Sequence, residues 1–227
     1  MYYYTMMLLL LFLFSLWTTN VYTHYPIYLN SSNVITIKDA IDDETATSFL
    51  HKLNILDSKK DIYVYLDTPG GSVESGNKIL MEIQKYNLSC IADRAYSMGF
   101  VILQGCQNRY ITNYGRLMQH QISYAIKNEK GKIDSYSKFI DQVENELVIL
   151  QANRIQIPHD EFRLKTMNEW WMVGKYAIDN NCADKIVDVF CDTTITNTNI
   201  TEEYGPVNFV YSACPLIPGP VDVVPKK

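Results

Sequence analysis

Ile62-Tyr63-Val64-Tyr65-Leu66, stopped by Asp67-Thr68-Pro69-Gly70-Gly71-Ser72, is the stretch on which the fold turns. Five consecutive apolar or aromatic residues suit a strand covered on both faces, as in a parallel sheet. The Pro-Gly-Gly corner ends that strand, and Gly76, Ile79, Leu80 and Ile83 then recur at the spacing of one helix face. The same rhythm runs upstream. Val34–Ile37 reads as a short β-branched strand, and Asp42 and Asp43 can cap a helix whose apolar positions are Ala46, Phe49, Leu50, Leu53 and Leu56. Downstream come a strand near Ser89–Ala92, a helix opening at Ser97-Met98-Gly99, a strand near Arg109–Ile111 and a further extended stretch over Leu117–His120. Strand and helix alternating in this way predict βαβ units and an α/β class.

Beyond this core the spacing predicts a long helix from Asp134 to about Asn153. Its stripe of Tyr136, Phe139, Ile140, Val143, Leu147 and Leu150 fits either a core face or a subunit contact. Pro158 opens a short helical stretch, followed by Trp170-Trp171-Met172, a helix over Lys175–Asn180 and a strand over Lys185–Val189. The end of the chain, 192–227, is rich in Thr, Asn and Pro and reads as a loosely ordered tail.

A chain of 227 residues, 47% apolar and 20% charged, suits one domain with a sizeable core and short appendages. The net charge is −5 and no Lys/Arg cluster occurs, so no nucleic-acid partner is expected. The first charged side chain is Lys38, and before it Met6 to Trp17 reads MMLLLLFLFSLW. That run falls short of the ~20 apolar residues a spanning helix needs and suits a signal-peptide core. Aromatic flanks could extend it to a membrane tether over residues 2–22, and a buried core helix is the alternative. Export into the secretory pathway, to a membrane-associated, lumenal or extracellular place, is the favoured reading. Residues 1–23 are then the leader or anchor, 24–33 a linker, and 34–191 the folded domain. Three N-x-S/T triplets begin at Asn30, Asn87 and Asn199, in keeping with such export. The five cysteines (90, 106, 182, 191 and 214) lack C-x-x-C spacing, so no metal site is expected. Cys182, Cys191 and Cys214 could staple the tail in an oxidising lumen, or remain buried thiols.

Ser97 lies between an extended stretch and a helix, where a tight turn and free backbone N–H groups can hold a nucleophile. Most serines at such positions are helix caps. A strand ending in Pro69-Gly70-Gly71 places a second bare corner of backbone at the sheet's mouth, and the two corners could supply the two donors of an oxyanion hole. Of the four histidines (24, 51, 120 and 159), His120 ends an apolar strand beyond the Ser97 helix and is best placed as general base.

Asp67-Thr68-Pro69-Gly70-Gly71-Ser72-Val73, Ala95-Tyr96-Ser97-Met98-Gly99, Arg116-Leu117-Met118-Gln119-His120-Gln121 and Trp171-Met172 stand in the order seen in Clp proteolytic subunits. The chain resembles that family from about Val34 to Val189. The resemblance implies a crotonase-like core of repeated βαβ units, with the long helix as a subunit-contacting handle. It implies Ser97 as nucleophile, His120 as base, and the backbone N–H groups of Gly71 and Met98 as the oxyanion hole. The family's third triad member is usually Asp. Here that position is Glu169, which can still orient the imidazole, with Asn168 or Asp160 as substitutes. The resemblance further implies homo-oligomeric rings acting on peptides or unfolded segments, with no cofactor. Ile122 replaces the usual proline after Gln121; more telling, the hydrophobic leader replaces the axial loop that faces an AAA+ unfoldase, and the tail after Asp192 has no counterpart in the family. No unfoldase partner and no need for ATP are therefore expected. A catalytically silent assembly subunit and an acyl-CoA enzyme of the wider crotonase fold are the competing readings.

Overall fold

The computed structural model describes residues 25–226. The leader or tether expected over 1–23 lies outside the described residues. Among the described residues no helix is long and apolar enough to cross a membrane. The chain runs β1 (Tyr25–Leu29), β2 (Val34–Lys38), α1 (Asp43–Ile55), β3 (Tyr63–Thr68), α2 (Val73–Lys85), β4 (Ser89–Tyr96), α3 (Met98–Gly105) and β5 (Arg109–Gln119). It continues with α4 (Lys130–Ile155), α5 (His159–Thr166), β6 (Trp170–Val173), α6 (Gly174–Asp179), β7 (Lys185–Cys191) and α7 (Thr193–Thr196). Three further strands close it: β8 (Asn199–Tyr204), β9 (Val207–Ser212) and β10 (Pro220–Pro225).

The main sheet has the order β1-β7-β5-β4-β3-β2, parallel throughout, with β6 added antiparallel on β5. The class is α/β. Its central strands β3 and β4 are buried on both faces, as their unbroken apolar runs require. On one face Ile35, Ile37, Val64, Leu66, Ala92, Ile111 and Leu117 meet Phe49, Leu53, Ile79, Ile83, Phe100 and Ile102 from the helices. On the other, Ile27, Leu29, Tyr65, Ile91 and Val187 are covered by Ile195 and Cys214 from the end of the chain. The helices start where capping chemistry allows. Asp42 accepts the Thr45 N–H at 2.8 Å, and Ser72 accepts the Ser75 N–H at 3.2 Å.

Three expectations change. Residues 25–29, read as part of a linker, form β1 and pair with β7 along its whole length. The reason is alternation: Ile27 and Leu29 turn inward and are 2% and 0% exposed, while Pro26 and Tyr28 face outward. The tail after Asp192 is not loose. Asp192 caps α7 through Thr194, a Cys191–Cys214 disulfide ties the segment back, and β8–β10 form an antiparallel sheet of their own. The two extended stretches around residues 109–111 and 117–120 are one strand. Its register against β4 jumps from Ala92–Ile111 to Arg94–Arg116, so residues between them bulge out and masked the continuity.

That strand is anchored at its start by Arg109, which is 1% exposed. The guanidinium Nε donates to Asp184 Oδ1 at 3.0 Å, and Nη1 donates to Gln104 Oε1 at 2.7 Å and to the Asn181 carbonyl at 2.8 Å. The Arg109 backbone N–H also donates to Asp184 Oδ2 at 2.7 Å. Burial alone pushes the Asp184 carboxyl up, but the Arg109 hydrogen bonds and charge outweigh it and hold the group below the usual carboxylate range. A carboxylate with a depressed folded value stabilises above its unfolded value and loses that contribution as the pH falls through the folded one. Asp184→Ala should therefore lower the unfolding free energy by about 3 kcal/mol at neutral pH, because it strands a buried guanidinium. Urea midpoints should show this, and the gap from the parent should narrow below about pH 4 as Asp184 protonates in the parent.

Candidate active site

The ends of β3 and β4 meet at the sheet's mouth. Gly70 has φ +92, and a Cβ placed there would lie 2.6 Å from the Tyr96 carbonyl oxygen, 2.7 Å from the Ser97 Cβ and 2.9 Å from the Met98 nitrogen. Only a residue without a side chain permits the two corners to touch. Gly71, at φ +150, is equally constrained by the Ile41 backbone, which lies 2.3 Å from where its Cβ would be. Ile41 N–H donates to the Gly70 carbonyl at 2.8 Å and the Ser72 N–H donates to the Ile41 carbonyl at 2.7 Å, fixing the corner from outside.

Ser97 itself adopts φ 52 and ψ −117, a conformation that costs a non-glycine residue about 1–3 kcal/mol. It is held there by its own N–H, which donates to the Met118 carbonyl of β5 at 2.8 Å. Ser97 makes no side-chain cap for α3, so its hydroxyl is free for another partner. That partner is His120, just past the end of β5, whose Nε2 lies 2.9 Å from Ser97 Oγ. Among the described residues the Met98 and Gly71 N–H groups have no hydrogen-bond acceptor. Met98 opens α3, where free N–H groups and the helix dipole favour negative charge.

Glu169 is not joined to this pair. It is exposed, and its carboxylate accepts the indole N–H of Trp171 at 3.0 Å. The ladder between β5 and β6 ends at the Gln119–Trp170 pair, one residue short of His120 and of Glu169, and Glu169 departs from it with φ 64. The side chain turns toward Trp171 of β6, whose ring meets Tyr96 edge-on at 5.1 Å. Asn168 and Asp160 are exposed too, and among the described residues no carboxylate hydrogen-bonds the second ring nitrogen of His120. The other described histidines, 51 and 159, are exposed on helices away from Ser97. Cys182, the described cysteine outside the disulfides, is buried, and desolvation pushes its thiol up to about 12, which leaves it unreactive.

A cleft of about 80 Å³ opens beside the serine, lined by Val73, Met98, Val101, Leu147, Val148 and Phe162. Two residues that sequence reasoning passed over, Gln119 and Gln151, also line it and are 4% and 2% exposed. A signal existed for the first, since Gln119 interrupts the apolar end of β5 immediately before His120. Gln151 lies on α4 outside any motif and gave none.

A family model described as Clp protease matches residues 18–189, well over half of the chain. The chain belongs to the Clp protease family. Among relatives, the ATP-dependent Clp protease proteolytic subunit of Borreliella afzelii is 26% identical over 162 residues, covering 68% of this chain and 82% of that protein. The ATP-dependent Clp protease proteolytic subunit 1 of Borreliella burgdorferi is likewise 26% identical over 162 residues, covering 84% of its own length. The family match ends within β7, so α7 and β8–β10 are an addition of this chain to the matched region.

Gly70→Ala should be far more damaging than an ordinary turn substitution. The added methyl meets backbone on the Ser97 side, and L-residues disfavour φ +92. We expect a loss of about 2 kcal/mol in stability, measured by urea unfolding. A variant with parental stability would show that the two corners do not touch.

Proposed function

We propose that this Clp protease family member is a serine endopeptidase that cuts peptides and unfolded segments through an acyl-enzyme, without ATP. The observation that carries the reading is the 2.9 Å contact between Ser97 Oγ and His120 Nε2 at a strained strand-to-helix corner. In this reading Ser97 attacks the scissile carbonyl while His120 Nε2 takes its proton and later passes it to the leaving amine. The Gly71 and Met98 N–H groups receive the oxyanion, and water then attacks the ester with His120 again as base. Glu169 supports the imidazolium once its carboxylate leaves the Trp171 indole, since it adjoins Trp170, the strand partner of the residue before His120.

Two features bear on place and partners. Cys90–Cys106 and Cys191–Cys214 are disulfides, which persist in oxidising compartments and accord with export behind the apolar leader. The N-terminal half of α4 projects Tyr136 and Phe139, 41% and 53% exposed, beside Tyr124, while its C-terminal half is core. Such an aromatic face favours self-association into an oligomer. A second reading, a silent assembly subunit, draws support from Glu169 being turned to Trp171 rather than His120.

The full chain should degrade a permanently unfolded protein with no nucleotide, and an added Clp-type unfoldase with ATP should leave the rate unchanged. Ser97→Ala should reduce turnover by at least about 10³-fold and Glu169→Gln by at least about tenfold. Degradation that requires ATP would refute the partner claim, and an oligomer with no turnover would favour the silent subunit. Deleting residues 1–23 should keep the folded domain, since β1 starts at Tyr25, and should move the protein from the membrane fraction to the soluble one.

A further inference from the structure

The cleft beside Ser97 has apolar walls but carries a polar pair at depth. Gln119 Nε2 donates to Gln151 Oε1, the His120 backbone N–H donates to Gln119 Oε1 at 3.0 Å, and Gln151 Nε2 donates to the Leu147 carbonyl at 2.7 Å. Each amide nitrogen has two hydrogens and each amide oxygen two lone pairs. Among the described residues these bonds therefore leave one N–H of each glutamine, and one lone pair of each oxygen, without a partner. Both side chains border the cavity and are almost wholly buried. In the free protein, solvent in the cleft can meet those groups. A bound side chain that fills the cleft displaces that solvent and must replace its hydrogen bonds or leave buried donors unpaired, at a cost of about 1–3 kcal/mol each.

The charge around the cleft narrows the choice. Glu144 also lines it, with Oε1 accepting the Ile122 N–H at 3.1 Å and Oε2 lying 4.0 Å from the Arg163 guanidinium. The carboxylate is thus already matched by a cation and a backbone donor. It repels an acidic side chain, and the Arg163 guanidinium beside it offsets its pull on a basic one. Val73, Met98, Val101 and Leu147 suit a methylene stem. We propose that the Gln119–Gln151 pair makes this cleft a subsite for an uncharged amide side chain, glutamine foremost, on the acyl side of the bond that is cut. The assignment rests on the peptidase reading for what happens after binding, but the selection itself is a property of the cleft.

A site built to hydrogen-bond a polar tip rejects the analogue lacking it more strongly than an apolar slot rejects an extra polar group. The test is kcat/KM for one fluorogenic peptide series on the full chain, with Gln, Asn, Met, Leu, Glu or Lys before the cleaved bond. Gln should exceed Met by at least tenfold, and in Gln151→Met and Gln119→Met that ratio should fall to about one or below. A ratio within one variant is unmoved by a general loss of folded protein. Preference for Met or Leu in the parent, or a ratio unchanged in both variants, would overturn the proposal. If no peptide is cleaved, the peptidase reading fails by itself, and the cleft is judged by calorimetry with Ser97→Ala and the same peptides ending at that residue. Tighter binding of the Gln-ended peptide than the Met-ended one supports the subsite; equal or weaker binding refutes it.

Discussion

Gly70 lies so close to the Ser97 corner that a Cβ on it would fall within 2.9 Å of the Tyr96 carbonyl oxygen, the Ser97 Cβ and the Met98 nitrogen. Two parallel strands, β3 and β4, end side by side, and each turns sharply into a helix on the same side of the sheet. In an open parallel sheet such corners define the crevice where ligands bind. Here the contact does more than shape a crevice, because it holds Ser97 in a conformation that an isolated peptide would leave at once. The strain is offset by the strand pairing and by the Ser97 N–H bond to Met118.

His120 is fixed from the other direction. Strand β5 begins at the buried Arg109–Asp184 ion pair and ends at Gln119, whose amide binds both the His120 N–H and Gln151 of α4. Position at the chemical end therefore depends on two buried polar anchors about ten residues apart along one strand. The same amide pair ties that end to the helix whose exposed aromatic half faces away from the domain. A neighbouring subunit that packed on this half would bear on the helix that carries Gln151. Glu169 is the loosest member: it lies at a strand end, exposed, with an indole as its current partner.

Much of this was legible in the sequence because local chemistry and tertiary structure agree. The unbroken Ile62–Leu66 run, the Pro-Gly-Gly stop and the 3.6-residue spacing of Gly76, Ile79, Leu80 and Ile83 each report one strand, one corner and one buried face. Motif order placed Ser97 and His120, which the structure brings together across 23 residues of chain. What could not be read depended on distant partners. β1 is short and begins among polar residues, and only its pairing with β7, more than 150 residues on, gives it a place. The tail is polar in composition, yet a disulfide, the Asp192 cap and three strands give it order that composition does not report. The side-chain direction of Glu169 and the Gln119–Gln151 bond were equally hidden, since each is settled by a neighbour across the fold rather than by spacing.

The proposed peptidase chemistry requires Ser97 to be a nucleophile activated by His120. The most direct measurement is mass-spectrometric mapping of a fluorophosphonate adduct on the purified full chain, beside the same reaction with His120→Ala. A single adduct on Ser97, formed at least about 10²-fold more slowly without the imidazole, is the predicted result. An adduct on another serine, or labelling of Ser97 that is indifferent to His120, would contradict it.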